Sequence, residues 1–418
     1  MMNSQHRRRN PSKRLYAKQT NRDQNTNFKA KRRNRKIYFF SLILAALLIL
    51  LLVRNRILVW IEDSSYRISS SSSLSLLTSH IKPRLRFDWT NLPIQSEAAI
   101  FFRQHQNNCT LPLAQIPFRN RFGLGSDLHV WTQAVCNAAS LGYRVEATDP
   151  WIWLDPTVCS SNYTDAIGCY FAKATAPASC SSSSRIDQPP IVWKARQGYN
   201  CEEIMPKKYN VSDFRAGGIE FLFSSVSPAI VEEAERLLPK VFPPDGIVPP
   251  NLITVQIRRG DKLVEDKSLK KLSIQTFIDS VRKLANPHLP IHVFLATEDK
   301  GAMEEFQQNA PSDWTIHLDP YHTELKALKD SIVTSDQNFS HSKGNNYNEN
   351  PRLSVATKGK SGLISLASML ISMEANSYVL TTTSNWSRLM NELRKTIVED
   401  NCGVDCRTRV IDLKPGEW

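Results

Sequence analysis

Residues 252–262 read LITVQIRRGDK, and this stretch decides the fold. Its first six residues are largely apolar and rich in β-branched side chains, which predicts a buried strand. Further along the chain, apolar residues at helical spacing alternate with short apolar runs. They predict helices over 274–284, 303–308, 363–373 and 387–398, and strands over 291–296, 315–318 and 378–382. Strands that alternate with helices indicate an α/β fold with a parallel, doubly wound, Rossmann-like sheet.

Polar side chains follow three of the predicted strands. Arg258 and Arg259 come after the first, Glu298 and Asp299 after the second, and residues 381–385 after the last. Because ligands of parallel sheets bind outside the carboxyl ends of the strands, we expect these groups to share one edge. Paired guanidinium groups match the oxygens of a diphosphate, and a helix start favours an anion. A basic turn paired with nearby acids, together with ordinary helix caps, is the competing interpretation.

These motifs resemble those of a known group of enzymes. Residues 255–262 resemble the arginine-rich donor motif shared by α1,2-, α1,6- and protein O-fucosyltransferases. Residues 296–299 and 379–385 resemble the next two motifs of the α1,6-fucosyltransferase group, in the same order and at similar spacing. Residues 123–129 resemble the glycine-rich segment at the start of that family's catalytic region. The resemblance therefore covers about 123–400 of this chain, and it is carried by these four motifs.

The resemblance implies an inverting, metal-independent transfer of L-fucose from GDP-fucose on a two-domain, GT-B-like fold. The matched arginines hold the donor diphosphate and stabilise the departing GDP. A base must take the proton of the acceptor hydroxyl, and gap-free matching places it at Asp266, next to Glu265. A solvated acid is the competing interpretation there. The catalytic residues predicted in this way are Arg258, Lys262 and Asp266. The predicted donor-binding residues are Gly125, His129, Gln256, Arg259, Gly260, Asp261, Asp299, Thr383 and Ser384.

The sequence departs from the family pattern at two positions. The family has His where this chain has Gln256, and Asp where it has Ser368. Both positions help to read the guanine base in the family. Gln retains hydrogen-bonding groups, whereas Ser is shorter and uncharged. The match is therefore stronger for the diphosphate than for the base. We recognise no Asp-x-Asp pair suited to a metal–diphosphate bridge, so we expect no metal and no cofactor besides the donor substrate.

The net charge of +13 is a local feature of the N-terminus. Residues 1–36 hold thirteen Lys and Arg against one acid, whereas the other 382 residues hold 40 basic and 39 acidic groups. A nucleic-acid-binding domain needs basic groups over its folded surface to displace counterions from phosphates. A nucleic-acid partner is therefore not expected.

Residues 37–53 form an uncharged, largely aliphatic run directly after the basic tail. This run is at the short end of what spans a bilayer core of about 30 Å. The positive-inside rule then predicts a single-pass type II membrane protein with a lumenal catalytic domain. A cleaved signal peptide is the competing interpretation, but no small-residue cleavage site follows the run. We expect a Golgi membrane location, with the endoplasmic reticulum as the alternative.

Cysteine usage agrees with a lumenal domain. The eight cysteines are Cys109, Cys136, Cys159, Cys169, Cys180, Cys201, Cys402 and Cys406. An even number confined to this part of the chain predicts disulfides in an oxidising compartment, with a local bridge between the last two. A zinc site is the weaker alternative because no C-x-x-C pair occurs. N-x-S/T sequons begin at Asn108, Asn162, Asn210, Asn338 and Asn385.

The predicted organisation has five parts. They are a cytosolic basic tail (1–36), an anchor (37–53), a stem (54–95), an acceptor-side α/β domain (96–249) and a Rossmann-like donor-binding domain (250–418). The polar stretch 319–360 is either functional or disordered. The expected partners are a nucleotide-sugar donor and a glycan or glycoprotein acceptor. Two alternatives stay open: an α1,2- or protein O-fucosyltransferase, and a non-catalytic lumenal lectin or scaffold with a degenerate donor site.

Overall fold

The computed structural model describes most of the chain after residue 83. The described residues are 84–117, 122–147, 150–159, 166–174, 180, 201, 210–259, 269, 272–325, 349–401 and 408–416. From Lys82 to Trp418 the chain forms one compact unit.

The helices and strands of this unit alternate along most of its length. The helices are α1 (Glu97–Gln106), α2 (Leu124–Ser140), α3 (Val211–Phe223), α4 (Pro228–Val241), α5 (Ile274–Leu284), α6 (Lys300–Asn309), α7 (Glu349–Ala356), α8 (Lys360–Ser372) and α9 (Asn385–Leu393). The strands are β1 (Leu113–Ile116), β2 (Arg144–Ala147), β3 (Leu252–Ile257), β4 (His292–Thr297), β5 (Thr315–Leu318), β6 (Ser377–Leu380) and β7 (Arg409–Asp412). Shorter helical turns lie at Ala172–Ala174, Arg394–Val398 and Glu399–Asn401.

A five-stranded parallel sheet forms the centre of the C-terminal half, in the order β5-β4-β3-β6-β7. All six residues of β3 are buried, as expected for a parallel sheet covered on both faces. From β3, the chain adds β4 and then β5 on one side of the sheet. The next strand, β6, pairs with the other side of β3. The strand order therefore reverses between β3 and β6, and such a switch point is where α/β sheets bind ligands.

Alternate residues of the central strands pack into different apolar clusters. Phe294 of β4 belongs to the largest cluster, whereas its neighbour Leu295 belongs to the second. This alternation follows from the two-residue period of a strand. The largest cluster also joins Trp131 and Phe221 to Leu366 of α8, so it extends across residue 250. The predicted boundary between an acceptor-side and a donor-side domain at that residue stays a prediction.

A second, two-stranded parallel sheet joins β1 and β2 through the crossover helix α2. Helices α1 and α3 pack against each other in this part of the unit. The Glu220 carboxylate, near the end of α3, accepts hydrogen bonds from the backbone N–H groups of Gln95 (2.6 Å) and Ser96 (3.1 Å), just before α1. Gly217 allows the close approach, because a Cβ there would lie 2.5 Å from Ala98 Cβ.

Serine side chains cap two of the helices. The hydroxyl of Ser273 accepts from the N–H of Thr276 at the start of α5, and the hydroxyl of Ser227 accepts from that of Ala229 at the start of α4. Strand β3 and helix α5 also have their predicted bounds. Periodicity missed α1, α3, β1, β2 and β7. The three missed strands have only four residues each, which is too short for a two-residue period to stand out.

Several predicted boundaries need correction. The last strand ends at Leu380 instead of residue 382, and the following helix begins at Asn385 instead of residue 387. Within the polar stretch 319–360, residues 320–325 and 349–356 are helical, and 326–348 lie outside the described residues. Residues 84–95 were assigned to the stem, yet Trp89 is fully buried in the core and Arg86 donates its backbone N–H to Glu374. The compact unit therefore begins before the predicted end of the stem.

Three disulfides confirm the predicted pairing of the first six cysteines. They join Cys109 to Cys180, Cys136 to Cys201 and Cys159 to Cys169. The zinc alternative is therefore wrong for these six. Residues 402–407, which include the last two cysteines, lie outside the described part of the chain.

Among the described residues, no helix combines the length and the apolar character needed to span a bilayer. The predicted anchor and basic tail lie outside those residues.

Asp127, in the first turn of α2, holds a buried aromatic turn. Its Oδ2 accepts hydrogen bonds from the indole N–H groups of Trp151 (3.0 Å) and Trp153 (3.1 Å). Burial raises the pKa of Asp127 to about 7, against the opposing effect of the two indole hydrogen bonds. The folded state therefore retains a proton that the unfolded chain releases near the ordinary pKa of 3.8.

We expect Asp127→Asn to reduce the pH dependence of stability. A group whose folded pKa is raised gives stability that falls as the pH rises from the unfolded to the folded value, here from about 4 to about 7. Asn keeps an oxygen for the indoles and has no proton to lose. The measurement is the free energy of unfolding of both proteins at about pH 5 and about pH 8. A difference between wild type and variant that is the same at both pH values would contradict the assignment.

Candidate functional site

The switch point brings the predicted motifs to one edge. Strand β3 pairs in parallel with β4 on one side and with β6 on the other, so their carboxyl ends lie together. Arg258 and Arg259 follow β3, Glu298 follows β4, and Thr381–Ser384 follow β6. The prediction that these three groups share one edge of the sheet is confirmed.

Two helix starts also meet at this edge. Helix α9 begins after Ser384, whose side chain does not cap it, and α2 begins after Gly123, which has no side chain to form a cap. The Asn385 side chain donates from Nδ2 to Ser126 Oγ. A Cβ on Gly125 would lie 3.2 Å from the Trp386 ring, so the absence of a side chain permits the contact between the two first turns. Uncapped backbone N–H groups and the positive ends of two helix dipoles favour an anion here.

A buried network behind these helix starts fixes their relative position. The His129 ring lies between two acceptors, with Nδ1 2.6 Å from the Gly125 carbonyl oxygen and Nε2 2.8 Å from Glu392 Oε2. Glu392 Oε1 also lies 3.4 Å from Nε of Arg215 on α3. All of these side chains are buried. His129 is thus placed as a support for the glycine-rich turn, while its predicted contact with the donor stays a prediction.

The turn between β6 and α9 is braced by the last strand. The Asp412 carboxylate accepts from the backbone N–H of Thr382 (3.1 Å) and from its hydroxyl. The N–H of Thr383 donates to the Lys414 carbonyl (3.2 Å), and the N–H of Gly416 donates to Thr382 Oγ1 (3.0 Å). Sequence reasoning missed Asp412. The rule that functional groups follow parallel strands would have found it, had β7 been recognised.

Two hydroxyl groups in this turn are shielded from solvent. Within the described residues, Oγ1 of Thr381 and Oγ1 of Thr383 have no hydrogen-bond partner. Thr381 as a whole is 1% exposed. Buried polar groups are nearly always satisfied, so two unsatisfied hydroxyls at one strand end are unusual.

Gln256 is engaged inside the protein. It is buried in β3, and its Oε1 accepts from the hydroxyl of Ser387 on α9. The Ser387 oxygen in turn accepts from the N–H of Thr381 (3.2 Å). The side chain therefore ties β3 to the start of α9, next to the anion-favouring turn.

The carboxylate of Asp319 lies next to Ser368. The Ser368 hydroxyl donates to Asp319 Oδ1 (2.8 Å), and the Tyr321 N–H donates to the same oxygen (2.9 Å). Burial raises the pKa of Asp319, while these hydrogen bonds and His322 act in the opposite direction. Asp319 follows β5 directly, and His322, slightly further along, donates from Nε2 to the Thr297 carbonyl (2.6 Å). Both residues were missed, although the strand-end rule applies to β5 as well.

Comparison with known proteins gives little at the level of sequence. No protein-family model matches this chain, and no curated protein matches it. A crystal structure of the fucosyltransferase NodZ from Bradyrhizobium is similar with 12% identity and a TM-score of 0.34, over 67% of this chain and 93% of that chain. NodZ α1,6-fucosyltransferase soaked with GDP-fucose is similar with the same identity and score, over 68% and 92%. At these values we draw nothing about function from either similarity.

Both arginines form ion pairs with nearby carboxylates. Arg258 pairs with Glu298, and Arg259 Nη1 lies 2.6 Å from Oε2 of Glu305 on α6. These contacts match the competing interpretation of a basic turn paired with acids. The groups are not sealed off, however: the carboxyl side chains are 28% and 45% exposed, and the arginine side chains 16% and 20%. Ion pairs at this exposure are worth about 0–1 kcal/mol.

Among the remaining predicted site residues, Asp299 caps α6. Its Oδ1 accepts from the N–H of Ala302 (2.8 Å), which matches the competing interpretation of an ordinary helix cap. The other predicted residues, Gly260, Asp261, Lys262 and Asp266, lie outside the described residues. Among the described residues, no group of three or more His, Cys, Asp or Glu could hold a metal ion.

Proposed function

We propose that this chain is an inverting glycosyltransferase that moves L-fucose from GDP-fucose to a hydroxyl of a glycan or glycoprotein, as α1,6-fucosyltransferases do. One observation carries the proposal. At the point where the strand order reverses, Arg258 and Arg259 follow β3 and the uncapped start of α9 follows β6. The arginine-rich and third donor-like motifs of the sequence are therefore next to each other at the edge where parallel sheets bind ligands.

The chemistry of this edge suits a diphosphate. Neighbouring strands are about 4.8 Å apart, so groups that follow β3 and β6 can contact the two phosphates of one ligand. Guanidinium groups bond phosphate oxygens in pairs, and helix N-termini offer backbone N–H groups to the same charge.

The ion pairs of the arginines are compatible with this role. Glu298 and Glu305 are partly exposed, so their exchange for a ligand does not leave a buried carboxylate without water. A diphosphate offers several charged oxygens in place of each carboxylate, and it makes bidentate bonds that are stronger than exposed ion pairs. We therefore treat the two carboxylates as groups that the donor displaces.

The proposed reaction follows from this arrangement. The acceptor oxygen attacks the anomeric carbon from the face opposite the diphosphate, and the bond to GDP breaks. Arg258 stabilises the negative charge that grows on the leaving diphosphate. Asp266 takes the proton of the acceptor hydroxyl, and Lys262 supports the loop that carries the arginines, both as implied by the motif. No metal is required in this scheme, because the guanidinium groups and helix starts supply the positive charge.

A second candidate function has an observation in its favour. The ion pairs of both arginines and the internal bond of Gln256 would also suit a non-catalytic lectin or scaffold that has lost its donor site. The test is a panel of nucleotide sugars and defined acceptors incubated with the purified chain, with product linkage analysed. Transfer from GDP-fucose supports the enzyme, and the linkage separates the α1,6 proposal from an α1,2- or protein O-fucosyltransferase. No donor binding at millimolar concentration supports the scaffold.

Glu298→Gln should strengthen GDP binding. Removal of the carboxylate charge lowers the competition for the Arg258 guanidinium, so affinity should rise by up to about fivefold, which corresponds to one exposed ion pair. Calorimetric titration with GDP measures the change. Glu304→Gln is the matched control, because Glu304 lies on the exposed face of α6 and pairs with Lys300 (3.4 Å). Unchanged or weaker GDP binding, together with a lower melting temperature, would show that the pair is structural.

A further inference from the structure

We propose that Asn108 and Asn210 carry N-linked glycans and that Asn385 does not. All three begin an N-x-S/T sequon, which is the acceptor signal for this modification. A glycan needs an asparagine whose Nδ2 reaches solvent and whose surroundings leave room for a large polar group. The fold meets these conditions at the first two positions and violates them at the third.

The Asn108 sequon lies on an open turn after α1. Residues 107–110 are all exposed. The Thr110 hydroxyl (2.7 Å) and N–H (3.1 Å) both donate to the Asn108 carboxamide oxygen. This arrangement engages the oxygen and not the nitrogen of the carboxamide. Within the described residues, Asn108 Nδ2 has no hydrogen-bond partner, so attachment of a sugar there breaks no internal contact.

The Asn210 sequon lies at the exposed start of α3. Asn210 is the N-cap, and its Oδ1 accepts from the N–H of Asp213 (3.1 Å), whose carboxylate accepts in return from the Asn210 N–H (3.0 Å). The cap again uses only the oxygen of the carboxamide group. Ser212, the third residue of the sequon, is also exposed. A glycan on Nδ2 therefore leaves the helix cap intact.

Asn108 is set apart from the glycine-rich turn of the candidate site. It precedes β1, whereas the turn at Gly123 follows that strand. A glycan on Asn108 would therefore project from the amino end of the small sheet.

Asn385 is closed to modification. Its Nδ2 donates to Ser126 Oγ, its Oδ1 accepts from Arg388, and Ser387 is fully buried and bonded to Gln256. A sugar on Nδ2 would separate the starts of α2 and α9. The folded protein therefore excludes the third sequon although it satisfies the motif.

The chemistry is a group transfer from a lipid-linked diphosphate oligosaccharide. The bond between the anomeric carbon and the diphosphate oxygen breaks, and the electron pair leaves with the diphosphate. A new bond joins that carbon to Asn Nδ2, which loses one proton. This donor and its transferase are those of the lumenal compartment that the disulfides also favour.

The test maps each sequon in the full-length chain from cultured human cells. Enzymatic release of glycans in heavy-oxygen water converts each occupied Asn to labelled Asp, which peptide mass spectrometry reads site by site. We expect label at Asn108 and Asn210 and none at Asn385. An unlabelled Asn108 or Asn210, or a labelled Asn385, overturns the proposal.

Three variants test the sites without changing either asparagine. Thr110→Ala and Ser212→Ala should each remove one glycan, and Thr110→Ser should keep it because the sequon survives. If the mobility of either alanine variant equals that of wild type, the proposal is wrong for that site. The result is independent of the proposed function: a glycosylated chain that binds no GDP-fucose would refute the enzyme alone, and an active chain without glycans would refute this inference alone.

Discussion

Arg258→Ala should lower fucosyl transfer by at least about 10²- to 10³-fold, which is the usual effect of removing one group that stabilises transition-state charge. The side chain follows β3, where the backbone leaves the sheet, and it belongs to neither apolar cluster of the central sheet. Its loss should therefore remove charge from the diphosphate site and leave the packing of β3 unchanged. Initial rates with GDP-fucose and a defined acceptor, over a range of donor concentrations, measure the effect.

The matched control is Arg282→Ala. Arg282 lies on the exposed face of α5 and pairs with Asp279 (2.9 Å), so it shares the chemistry of Arg258 but not its place. Both variants should melt close to the wild-type temperature, and only Arg258→Ala should lose activity. Near-normal turnover in Arg258→Ala would mean that the donor site lies elsewhere. Loss of folding in Arg258→Ala alone would mean that its pair with Glu298 holds β3 and β4 together.

The central sheet could be predicted because its signals are local. Six consecutive buried residues make β3 stand out, and the Ser273 hydroxyl marks the start of α5 three residues before the N–H it accepts from. Once the strands were known, the rule for parallel sheets placed Arg258 and the Thr381–Ser384 turn at one edge. Chain order alone does not show that β6 pairs with β3; the structure adds this, and with it the switch point.

The rest of the candidate site depends on contacts between distant parts of the chain. The bond between His129 and Glu392 joins residues separated by 263 positions, and that between Ser368 and Asp319 joins residues 49 positions apart. Neither pair has a spacing that periodicity could reveal. From its own helix, Ser368 indicates the loss of the carboxylate that the family has at this position. In the fold, the end of β5 brings Asp319 to the same place.

The sequence indicated ion pairing only as the competing interpretation of the basic turn, and it did not identify the acids. Arg258 and Arg259 have acidic neighbours in many possible folds, and only the register of β3 against β4 decides that Glu298 is opposite Arg258. The same register makes the pair displaceable, because both side chains are at the end of the strands, where they remain partly exposed. In the proposed function, donor binding and ion pairing are alternative states of one site, and the Glu298→Gln experiment measures the balance between them.

Gly359→Ala should cost more than about 4 kcal/mol of folding free energy, which places it among the largest effects of single substitutions. Gly359 precedes α8 with a φ of 82°, and a Cβ there would lie 1.8 Å from the Leu154 carbonyl oxygen, which is backbone. The turn at 151–155 cannot move away, because Asp127 holds it through two indole N–H groups.

Gly142→Ala is the control that separates backbone strain from steric clash. The φ of Gly142 is 74°, but nothing lies within 4 Å of a Cβ there, so only the left-handed backbone cost of about 1–2 kcal/mol is expected. Denaturant unfolding of the three proteins measures both losses, and an equal loss in the two variants would show that α8 and the aromatic turn are not packed backbone against backbone.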